Sequence, residues 1–339
     1  MLRRCWRFGH CSLSDAVVVK TDPQPIISAA ELQQAVEQAV RRLQQGGLVA
    51  IPTETVYGLG GLARSDRAVL KIYETKERPS YNPLIVHVDS FSQAQDIGIF
   101  DTFSKKIVSL FWPGPLTIIV PLNPKAYISP LATAGLKTVA IRFPNHPLLL
   151  TLLRLVKEPL VAPSANLSGF LTSTTAAHVQ RSLPSVFVLE GGETQQGLES
   201  TIIRPEEGVI FILRSGALSQ EEIEQKTKAP SFLVEHHDKI SSPGQSLQHY
   251  APLLPVRINV IEPHKNEAFL GFGKTKHTPT LNLSPSSSLE EAAHNLFSFL
   301  HILDDPSRYE GIAVSPVPHT GIGVAINDRL KRASSSSCP

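Results

Sequence analysis

Residues 48–61 read Leu48-Val49-Ala50-Ile51-Pro52-Thr53-Glu54-Thr55-Val56-Tyr57-Gly58-Leu59-Gly60-Gly61. The apolar run at the start predicts a short buried strand, and Pro52 ends it because proline has no N–H to donate to a ladder. Hydroxyl and carboxylate side chains follow, and then a glycine-rich turn. Polar groups at a strand end commonly line a ligand crevice in α/β sheets. The same residues also suit a tight strand-to-loop connection, and they form neither a P-loop nor a dinucleotide-binding glycine fingerprint.

Further apolar runs with the character of strands recur along the chain. They lie at residues 84–88, 116–120, 139–141, 160–162, 186–189, 201–203 and 209–213. Patterns with helical spacing lie at 66–73, 104–111, 146–156 and 174–181, and another at 32–43 follows the capping box Ser28-Ala29-Ala30-Glu31. Short apolar strands mixed with helices predict an α/β domain with a buried mixed sheet over residues 25–226.

The rest of the chain is interpreted as a linker, a second domain and two tails. Residues 227–255 hold several prolines with little periodicity and predict a linker. Strand patterns at 256–260 and 311–314, with helix patterns at 289–303 and 322–332, predict a small α/β domain over residues 256–333. Its middle, 275–288, is rich in Ser, Thr and Pro and predicts a loop. Residues 1–24 and 334–339 are interpreted as tails.

The composition excludes several classes of protein. Hydrophobic residues make up 42% of the 339 and charged residues 18%, which argues against wholesale disorder. A net charge of +2 argues against a broad nucleic-acid-binding surface. Cys5, Cys11 and Cys338 lie in the tails, so neither a disulfide framework nor a metal centre is expected. No apolar run reaches the length of a membrane helix, and we expect a cytoplasmic location.

Several charged and polar residues follow predicted strands or helices. Lys76 and Arg78 end a helix, where they could bind a polyphosphate or simply complement the helix dipole. Arg142 directly follows a strand and is well placed to hold a carboxylate through its planar guanidinium. His87 lies within an apolar strand, where a hydrogen-bonded core histidine is the commoner outcome. Similar positions are held by Ser164, Asn166, Ser200 and Arg214.

These segments resemble the YrdC-type threonylcarbamoyl-AMP synthase domain, over nearly all of residues 30–220. The matching motifs, in the family's order, are Pro52-Thr53-Glu54-Thr55-Val56-Tyr57-Gly58-Leu59, Lys76-x-Arg78-Pro79, Asn82-Pro83-Leu84, Trp112-Pro113-Gly114-Pro115-Leu116-Thr117, Ala162-Pro163-Ser164-Ala165-Asn166 and Glu199-Ser200-Thr201. Ser242-Pro243-Gly244 and His249-Tyr250-Ala251-Pro252 resemble the linker of the longer, two-domain members, and residues 325–330 resemble the end of their second domain. The resemblance implies an open twisted mixed sheet flanked by helices, with a small Rossmann-like α/β domain after it.

The resemblance also implies a reaction and a set of site residues. L-Threonine, bicarbonate and ATP give threonylcarbamoyl-AMP and pyrophosphate, and a separate transferase then modifies an adenosine beside the anticodon of certain tRNAs. Family members need no tRNA for the first step, so no strong tRNA binding is expected. By motif, the residues expected to bind ATP are Lys76, Arg78, Asn82, Thr138, Ser164, Asn166, Arg214 and Tyr250. Those expected around L-threonine are Thr53, Thr55, Tyr57, His87, Arg142 and Ser200.

Tyr250 is expected to act as part of a lid, and Mg²⁺ is expected to arrive with ATP rather than in a cage of carboxylates. The linker carries Gln245-Ser246-Leu247-Gln248 where relatives usually have a methionine and basic residues, and the second domain is expected to be short for the family. Three alternatives stay open at this point. They are a non-catalytic RNA-binding module, a domain handling a different carbamoyl adenylate as in hydrogenase maturation proteins, and an inactive paralogue.

Overall fold

The apolar run at residue 49 forms an inner strand of a large sheet. The structure, a computed structural model, describes residues 28–234 and 249–335. The elements of the first domain are α1 (Ala29–Gln44), β1 (Val49–Ile51), β2 (Gly58–Leu62), α2 (Asp66–Lys76), β3 (Ile85–His87), α3 (Phe91–Ile97), α4 (Thr102–Phe111), β4 (Leu116–Pro121), β5 (Thr138–Arg142), α5 (Pro147–Val156), β6 (Leu160–Val161), α6 (Ala176–Ser182), β7 (Phe187–Val188), β8 (Thr201–Glu206), β9 (Val209–Arg214), α7 (Gln220–Thr227) and β10 (Ser231–Leu233).

The sheet mixes parallel and antiparallel neighbours. Its strand order is β10-β9-β8-β4-β5-β3-β6-β2-β1-β7. β3 lies parallel to β5, whereas β4 is antiparallel to β5 and parallel to β8. Helix α1 begins at the capping box that the sequence predicts, with the Ser28 and Glu31 side chains each bonded to the other residue's backbone N–H. The predicted mixed sheet flanked by helices is confirmed.

Residues 58–62 form a strand where the sequence predicts a glycine-rich turn. β2 runs antiparallel to β1, and every one of its residues is buried. A Cβ on Gly60 would lie 3.2 Å from Ile51 Cδ1, and a Cβ on Gly61 would lie 3.1 Å from Ile72 Cδ1. Close packing against β1 and α2 therefore explains these glycines. The prediction was wrong because glycine usually weakens a strand, and composition does not reveal such close packing.

Two helices of the first domain were not predicted. α3 and α7 are short, and their apolar periodicity is weak. Both begin at a serine N-cap, since the Ser90 side chain accepts from Gln93 N and the Ser219 side chain accepts from Glu222 N. A serine followed by polar residues predicts a helix start only when an apolar stripe continues after it.

The second domain has a parallel sheet covered by two long helices. Its elements are β11 (Val256–Arg257), β12 (Glu267–Gly271), β13 (Leu281–Asn282), α8 (Leu289–Leu303), β14 (Gly311–Val314) and α9 (Gly323–Ser335). The strand order is β11-β14-β12-β13, and each neighbouring pair is parallel. The small α/β domain is confirmed. β12 was not predicted, and β13 lies in the stretch predicted as a loop, because a two-residue strand leaves no periodicity to read.

The first sheet extends beyond the boundary predicted at residue 226. β10 pairs in parallel with β9, so residues 231–233 of the predicted linker belong to the sheet. The prolines around them concealed the strand. The other linker motifs, at 242–248, lie outside the described residues, as do residues 1–27 and 336–339 with all three cysteines. Within the described ranges, no helix is both long enough and apolar enough to cross a bilayer.

Candidate active site

A narrow cleft lies on one face of the first sheet, where the second domain meets it. Many of the residues predicted from the sequence line this cleft, namely Thr55, Arg78, His87, Arg142, Ser164, Ser200, Arg214 and Tyr250. Ile85 lines it as well, and Ile85 packs with Ile119 and Ala140 in a small apolar cluster. The cleft therefore combines a polar lining with an apolar floor.

Strand pairing sets the polar side chains in a row across the sheet. His87 on β3 lies opposite Arg142 on β5, and Arg142 lies opposite Thr117 on β4. Thr117 Oγ1 lies 2.7 Å from Ser200 Oγ, and Arg214 Nη2 donates to the same Ser200 oxygen at 3.2 Å. Residues far apart in the chain share one face because alternate residues of paired strands point the same way.

Arg142 already has an acidic partner within the protein. Its Nη2 lies 2.8 Å from Glu54 Oε1, and both side chains are only 4% exposed. Its Nη1 donates to Thr55 Oγ1 at 2.9 Å. A substrate carboxylate at Arg142 would therefore share the guanidinium with this ion pair. The sequence did not single out Glu54 as the partner, although it lies in the motif at residues 48–61.

Two buried cations are held by backbone carbonyl groups. Lys76 Nζ donates to the carbonyl oxygens of Ser164, at 2.6 Å, and Asn166. Arg78 Nη2 donates to Pro83 O at 3.0 Å. Burial, together with the neighbouring Arg78, holds the pKa of Lys76 well below its usual value. Burial also lowers the pKa of Arg78, to about 10. Within the described chain, neither cation forms an ion pair with a carboxylate.

Arg214 completes this group, and we call Lys76, Arg78 and Arg214 the cleft cations. Arg214 Nη2 donates to the backbone oxygen of Ser200 at 2.9 Å. Among residues 28–234 and 249–335, no carboxylate oxygen lies within 4.0 Å of a nitrogen of the cleft cations. Desolvated cations hydrogen-bonded to neutral oxygen atoms favour an anionic ligand, because such a ligand supplies a direct counter-charge.

His87 serves as a core residue and as part of the lining at once. Its Nδ1 lies 3.2 Å from the carbonyl oxygen of Ile85, and its side chain is 2% exposed. Burial, with the charge of Arg142 nearby, lowers the pKa of His87 to about 3. The imidazole is therefore neutral at physiological pH and can accept or donate one hydrogen bond without charge.

Two residues expected around L-threonine lie behind the lining. Thr53 Oγ1 donates to Val56 O at 2.7 Å and lies 2.8 Å from Thr55 Oγ1, so it shapes the turn that presents Thr55. The Tyr57 hydroxyl donates to Gly192 O at 2.8 Å, away from the cleft. Neither side chain is part of the lining, and their roles at L-threonine stay predictions.

Some residues expected to bind ATP also lie outside the lining. Asn82 accepts at its backbone oxygen from Arg78 Nε at 3.3 Å, and the Asn166 side chain donates to Phe170 O at 3.0 Å. Thr138 begins β5, on the same face as the strand's last residue but about 13 Å away along the strand. The roles of these residues stay predictions.

Tyr250 covers the cleft at the junction of the two domains. It is 1% exposed, and its ring centroid lies 4.0 Å from that of His249 and 5.5 Å from that of Phe297. Its φ is +67°, in the left-handed region that non-glycine residues rarely adopt. Burial raises the pKa of Tyr250 to about 12 and lowers that of His249 to about 3. A neutral, buried aromatic pair thus forms part of the cleft lining.

Further residues at the cleft were not among the predicted site residues. Glu199 and His249 line it, although both stand inside motifs that the sequence analysis quoted. Arg329 on α9 does not line the cleft but contacts it through Glu199, since its Nε donates to Glu199 Oε2 at 3.0 Å. No local pattern could indicate a contact across 130 residues. Within the described part of the chain, no group of three or more His, Cys, Asp or Glu side chains could hold a metal ion.

Comparison with protein families divides the chain close to the boundary between the two domains. A family model described as "Telomere recombination", covering the Sua5, YciO and YrdC proteins, matches residues 41–216. A second model, described as "Threonylcarbamoyl-AMP synthase, C-terminal domain", matches residues 218–335.

Curated relatives match over most of their length. The threonylcarbamoyl-AMP synthase of Bacillus subtilis is 38% identical over 322 residues, covering 88% of this chain and 92% of the relative. The synthases of Pyrococcus abyssi and Schizosaccharomyces pombe are 36% and 33% identical and cover 86% and 91% of this chain, and 92% and 90% of their own length.

Two solved structures have the same architecture. The crystal structure of P. abyssi Sua5 complexed with L-threonine superimposes with a TM-score of 0.79 at 33% identity, covering 89% of this chain and 94% of that one. A P. abyssi Sua5 structure in which a histidine and the tyrosine after it are replaced by alanine gives 0.80 at 32% identity, covering 92% and 95%.

Proposed function

This chain belongs to the family of two-domain threonylcarbamoyl-AMP synthases and is an enzyme of that class, and we propose that the cleft beneath Tyr250 is where L-threonine, bicarbonate and ATP are joined. The observation that carries this proposal is the group of cleft cations. None of them forms a direct ion pair with a carboxylate in the described chain, and they adjoin hydroxyl groups and a neutral histidine. A triphosphate beside an amino acid matches that lining.

The reaction needs positioning more than it needs a reactive side chain. The threonine amine attacks the carbon of bicarbonate, a C–N bond forms, and water leaves to give a carbamate. A carbamate oxygen then attacks the α-phosphorus of ATP, and pyrophosphate departs with the electron pair of the broken P–O bond. Both steps bring anions together, so orientation and charge neutralisation supply most of the acceleration.

We assign the phosphates to the cleft cations. Arg78 and Arg214 line the cleft, and Lys76 braces the loop at Ser164 from behind. The base would then lie along the sheet face over the apolar cluster at Ile85. The base would then point towards the start of β5, where Thr138 is expected from the resemblance to contact ATP.

We assign L-threonine to the hydroxyl and imidazole groups in the row of polar side chains that crosses the sheet. Thr55, His87 and Ser200 offer hydroxyl and neutral imidazole groups within the lining. The P. abyssi relative was solved with L-threonine, which supports a threonine site in this fold. Arg142 would contact the carboxylate while Glu54 remains paired with it.

Tyr250 would exclude water from the acyl adenylate that forms. A mixed anhydride between a carbamate and AMP hydrolyses in water, so a covered site protects it. In the relative, a histidine–tyrosine pair was chosen for replacement by alanine, and this chain carries His249 next to Tyr250.

Mg²⁺ is proposed to arrive with the nucleotide. Within residues 28–234 and 249–335, no three His, Cys, Asp or Glu side chains are grouped so that they could hold a metal ion, so we expect the phosphates and water to supply most of its ligands. Hard divalent cations bind phosphate oxygens and water readily, and the metal would add charge neutralisation at the phosphates. Chelation should then abolish turnover while leaving the melting temperature of the ligand-free protein unchanged.

The product is proposed to pass to a tRNA threonylcarbamoyl transferase, in the cytoplasm, without tight binding of tRNA by this chain. The non-catalytic RNA-binding alternative would need a basic surface outside the cleft, and the net charge of +2 does not favour one. The family membership supports catalysis over that alternative.

The test is substrate-dependent pyrophosphate release by the purified protein, with threonylcarbamoyl-AMP measured in the same reactions. Release should require both L-threonine and bicarbonate, and Arg78→Ala should remove it. Arg257→Ala is the matched control, since Arg257 forms a partly exposed pair with Glu267 on the second domain. Release that ignores threonine, or tight tRNA binding without synthesis, would overturn the proposal.

A further inference from the structure

Arg329, on helix α9 of the second domain, reaches into the first domain. Its side chain is 1% exposed. Nε donates to Glu199 Oε2 at 3.0 Å, and Nη2 donates to the carbonyl oxygen of Ser215 at 2.9 Å. Its guanidinium carbon lies 5.1 Å from the centroid of the Tyr250 ring. One side chain therefore contacts Glu199 and Tyr250, which line the cleft, and the backbone of Ser215, which follows the lining residue Arg214.

Glu199 connects Arg329 to the cleft, because it lines the cleft and accepts a hydrogen bond from Arg329. Its Oε1 accepts from Thr172 Oγ1 at 2.9 Å, and its Oε2 accepts from Arg329, so both oxygens are occupied. Burial alone would raise the pKa of Glu199, but the charges of Arg329 and Arg214 lower it to about 2. Glu199 is thus a fixed, ionised wall of the cleft directly before Ser200.

Tyr250 needs support from its surroundings because its backbone is strained. A tyrosine at φ +67° persists only where neighbouring groups determine its conformation. The backbone of Ala251 supplies one such contact, by donating to Gly169 O at 2.8 Å. The guanidinium of Arg329 supplies another, over the face of the ring.

We propose that Arg329 is a positioning residue for the synthase reaction, holding Glu199 and Tyr250 in place so that the second domain forms part of the active site. The kinetic part of this inference rests on the proposed function. Its structural part, that Tyr250 depends on Arg329, can be measured without any activity.

The test compares Arg329→Gln with the control Arg257→Gln. Hydrogen exchange of the backbone over residues 249–254 should become faster in Arg329→Gln and stay unchanged in Arg257→Gln. The kcat/KM for ATP should fall by about 100-fold, as misplacement by about 1 Å can cause. The ratio of pyrophosphate released to threonylcarbamoyl-AMP formed should also rise, because water reaches the adenylate under a loosened Tyr250.

Two further variants keep the test decisive if Arg329→Gln fails to fold. Arg329→Lys keeps the charge but loses the planar guanidinium that contacts Glu199 and Ser215 together, and it should show the same changes to a smaller degree. The Glu199→Gln/Arg329→Gln double variant should be no worse than the poorer single variant, because the two residues act through each other.

Unchanged exchange over residues 249–254 in a folded Arg329 variant overturns the inference. A kcat/KM that falls with no rise in the pyrophosphate ratio also overturns it, since a merely structural loss would do that. If the wild-type protein makes no threonylcarbamoyl-AMP, the proposed function fails, and the exchange measurement alone decides the role of Arg329.

Discussion

The cleft cations and Arg329 are buried positive charges that the protein treats in opposite ways. Lys76, Arg78 and Arg214 are bonded to backbone carbonyl oxygens and have no carboxylate within 4.0 Å in the described chain. Arg329 lies 3.0 Å from a carboxylate oxygen of Glu199 and 2.6 Å from one of Asp328. The first group forms no direct ion pair in the described chain, although Arg214 feels the charge of Glu199, whereas Arg329 is paired directly with two carboxylates.

This difference in pairing distinguishes cations that bind a ligand from cations that stabilise the fold. A cation left without a counterion inside a protein costs stability, so it is retained where a ligand completes it. A cation that is fully paired within the fold stabilises the contact between elements and has little left for a ligand. By this criterion the cleft cations belong to substrate binding and Arg329 to the junction of the domains.

The largest expected effect tests this separation directly. Arg329→Met should lower the free energy of unfolding by about 3–5 kcal/mol, because it leaves the buried carboxylate of Glu199 without its ion-pair partner, whereas Asp328 keeps its pair with Arg332. Arg78→Met should cost only about 1–3 kcal/mol, since it frees neutral carbonyls. Urea denaturation of the two variants provides the comparison. Equal losses would show that the two kinds of cation are not distinct.

Binding of pyrophosphate should also distinguish the cleft cations from Arg329. At a concentration 100 times its Kd, it should stabilise the wild-type protein by about 2.7 kcal/mol. A folded Arg329→Lys protein should keep this stabilisation, and Arg78→Met should lose most of it. Thermal melting with and without pyrophosphate measures the effect. Equal protection of both variants would place the anion elsewhere.

Buried histidines lie in the cleft and at the junction of the two domains, and they predict that the free energy of unfolding depends on pH. Burial lowers the pKa of His87 and His178 to about 3 and that of His301 to about 4. The unfolded chain takes up these protons near pH 6.5, so it binds more protons than the folded chain between about pH 6.5 and pH 4. Stability should therefore fall as the pH falls through that range, by up to about 1.4 kcal/mol per pH unit for each histidine.

The ring of His178 on α6 stacks on that of His301 on α8, with centroids 3.9 Å apart, so this pair joins the two domains. His178→Gln should flatten the pH dependence by the share of one histidine. Urea midpoints at pH 7, 6, 5 and 4 measure it. A slope unchanged by the substitution would mean that His178 has the same pKa in the folded and unfolded chains, and would contradict the prediction.

The smallest expected effect concerns Tyr57, which lies behind the cleft lining. Tyr57→Phe should cost about 1 kcal/mol, because it removes the hydroxyl that donates to Gly192 O and Glu190 Oε1 and accepts from Gly191 N. The KM for L-threonine should change by less than about twofold, since the hydroxyl points away from the lining. A large rise in KM would restore Tyr57 to the threonine site that the resemblance gives it.

Periodicity and end signals located most of the fold, and the exceptions have physical causes. Helix α1 and strands β3, β4 and β5 were predictable because the apolar pattern of each is visible in its own sequence. β2 does not, because its glycines are explained by packing against Ile51 and Ile72, which no local pattern encodes. β13 is too short to show a period.

The site was predictable where a motif carries the residue and unpredictable where a contact crosses the chain. Arg78 and Ser164 stand in motifs, and both line the cleft. The pairing of Arg142 with Glu54 depends on how β5 meets the segment after β1. The contact between Arg329 and Glu199 spans two domains, and only the folded structure brings them together.

The position of Arg329 has a consequence for how the molecule is made. A ribosome completes the first domain, with Glu199 in it, well before it adds residue 329. Until then the carboxylate of Glu199 lacks its main counterion, and the ring of Tyr250 lacks the cation that lies over it. The cleft therefore takes its final form only late in synthesis, and a chain cut short before α9 would carry nearly every substrate-binding group without the means to enclose an intermediate.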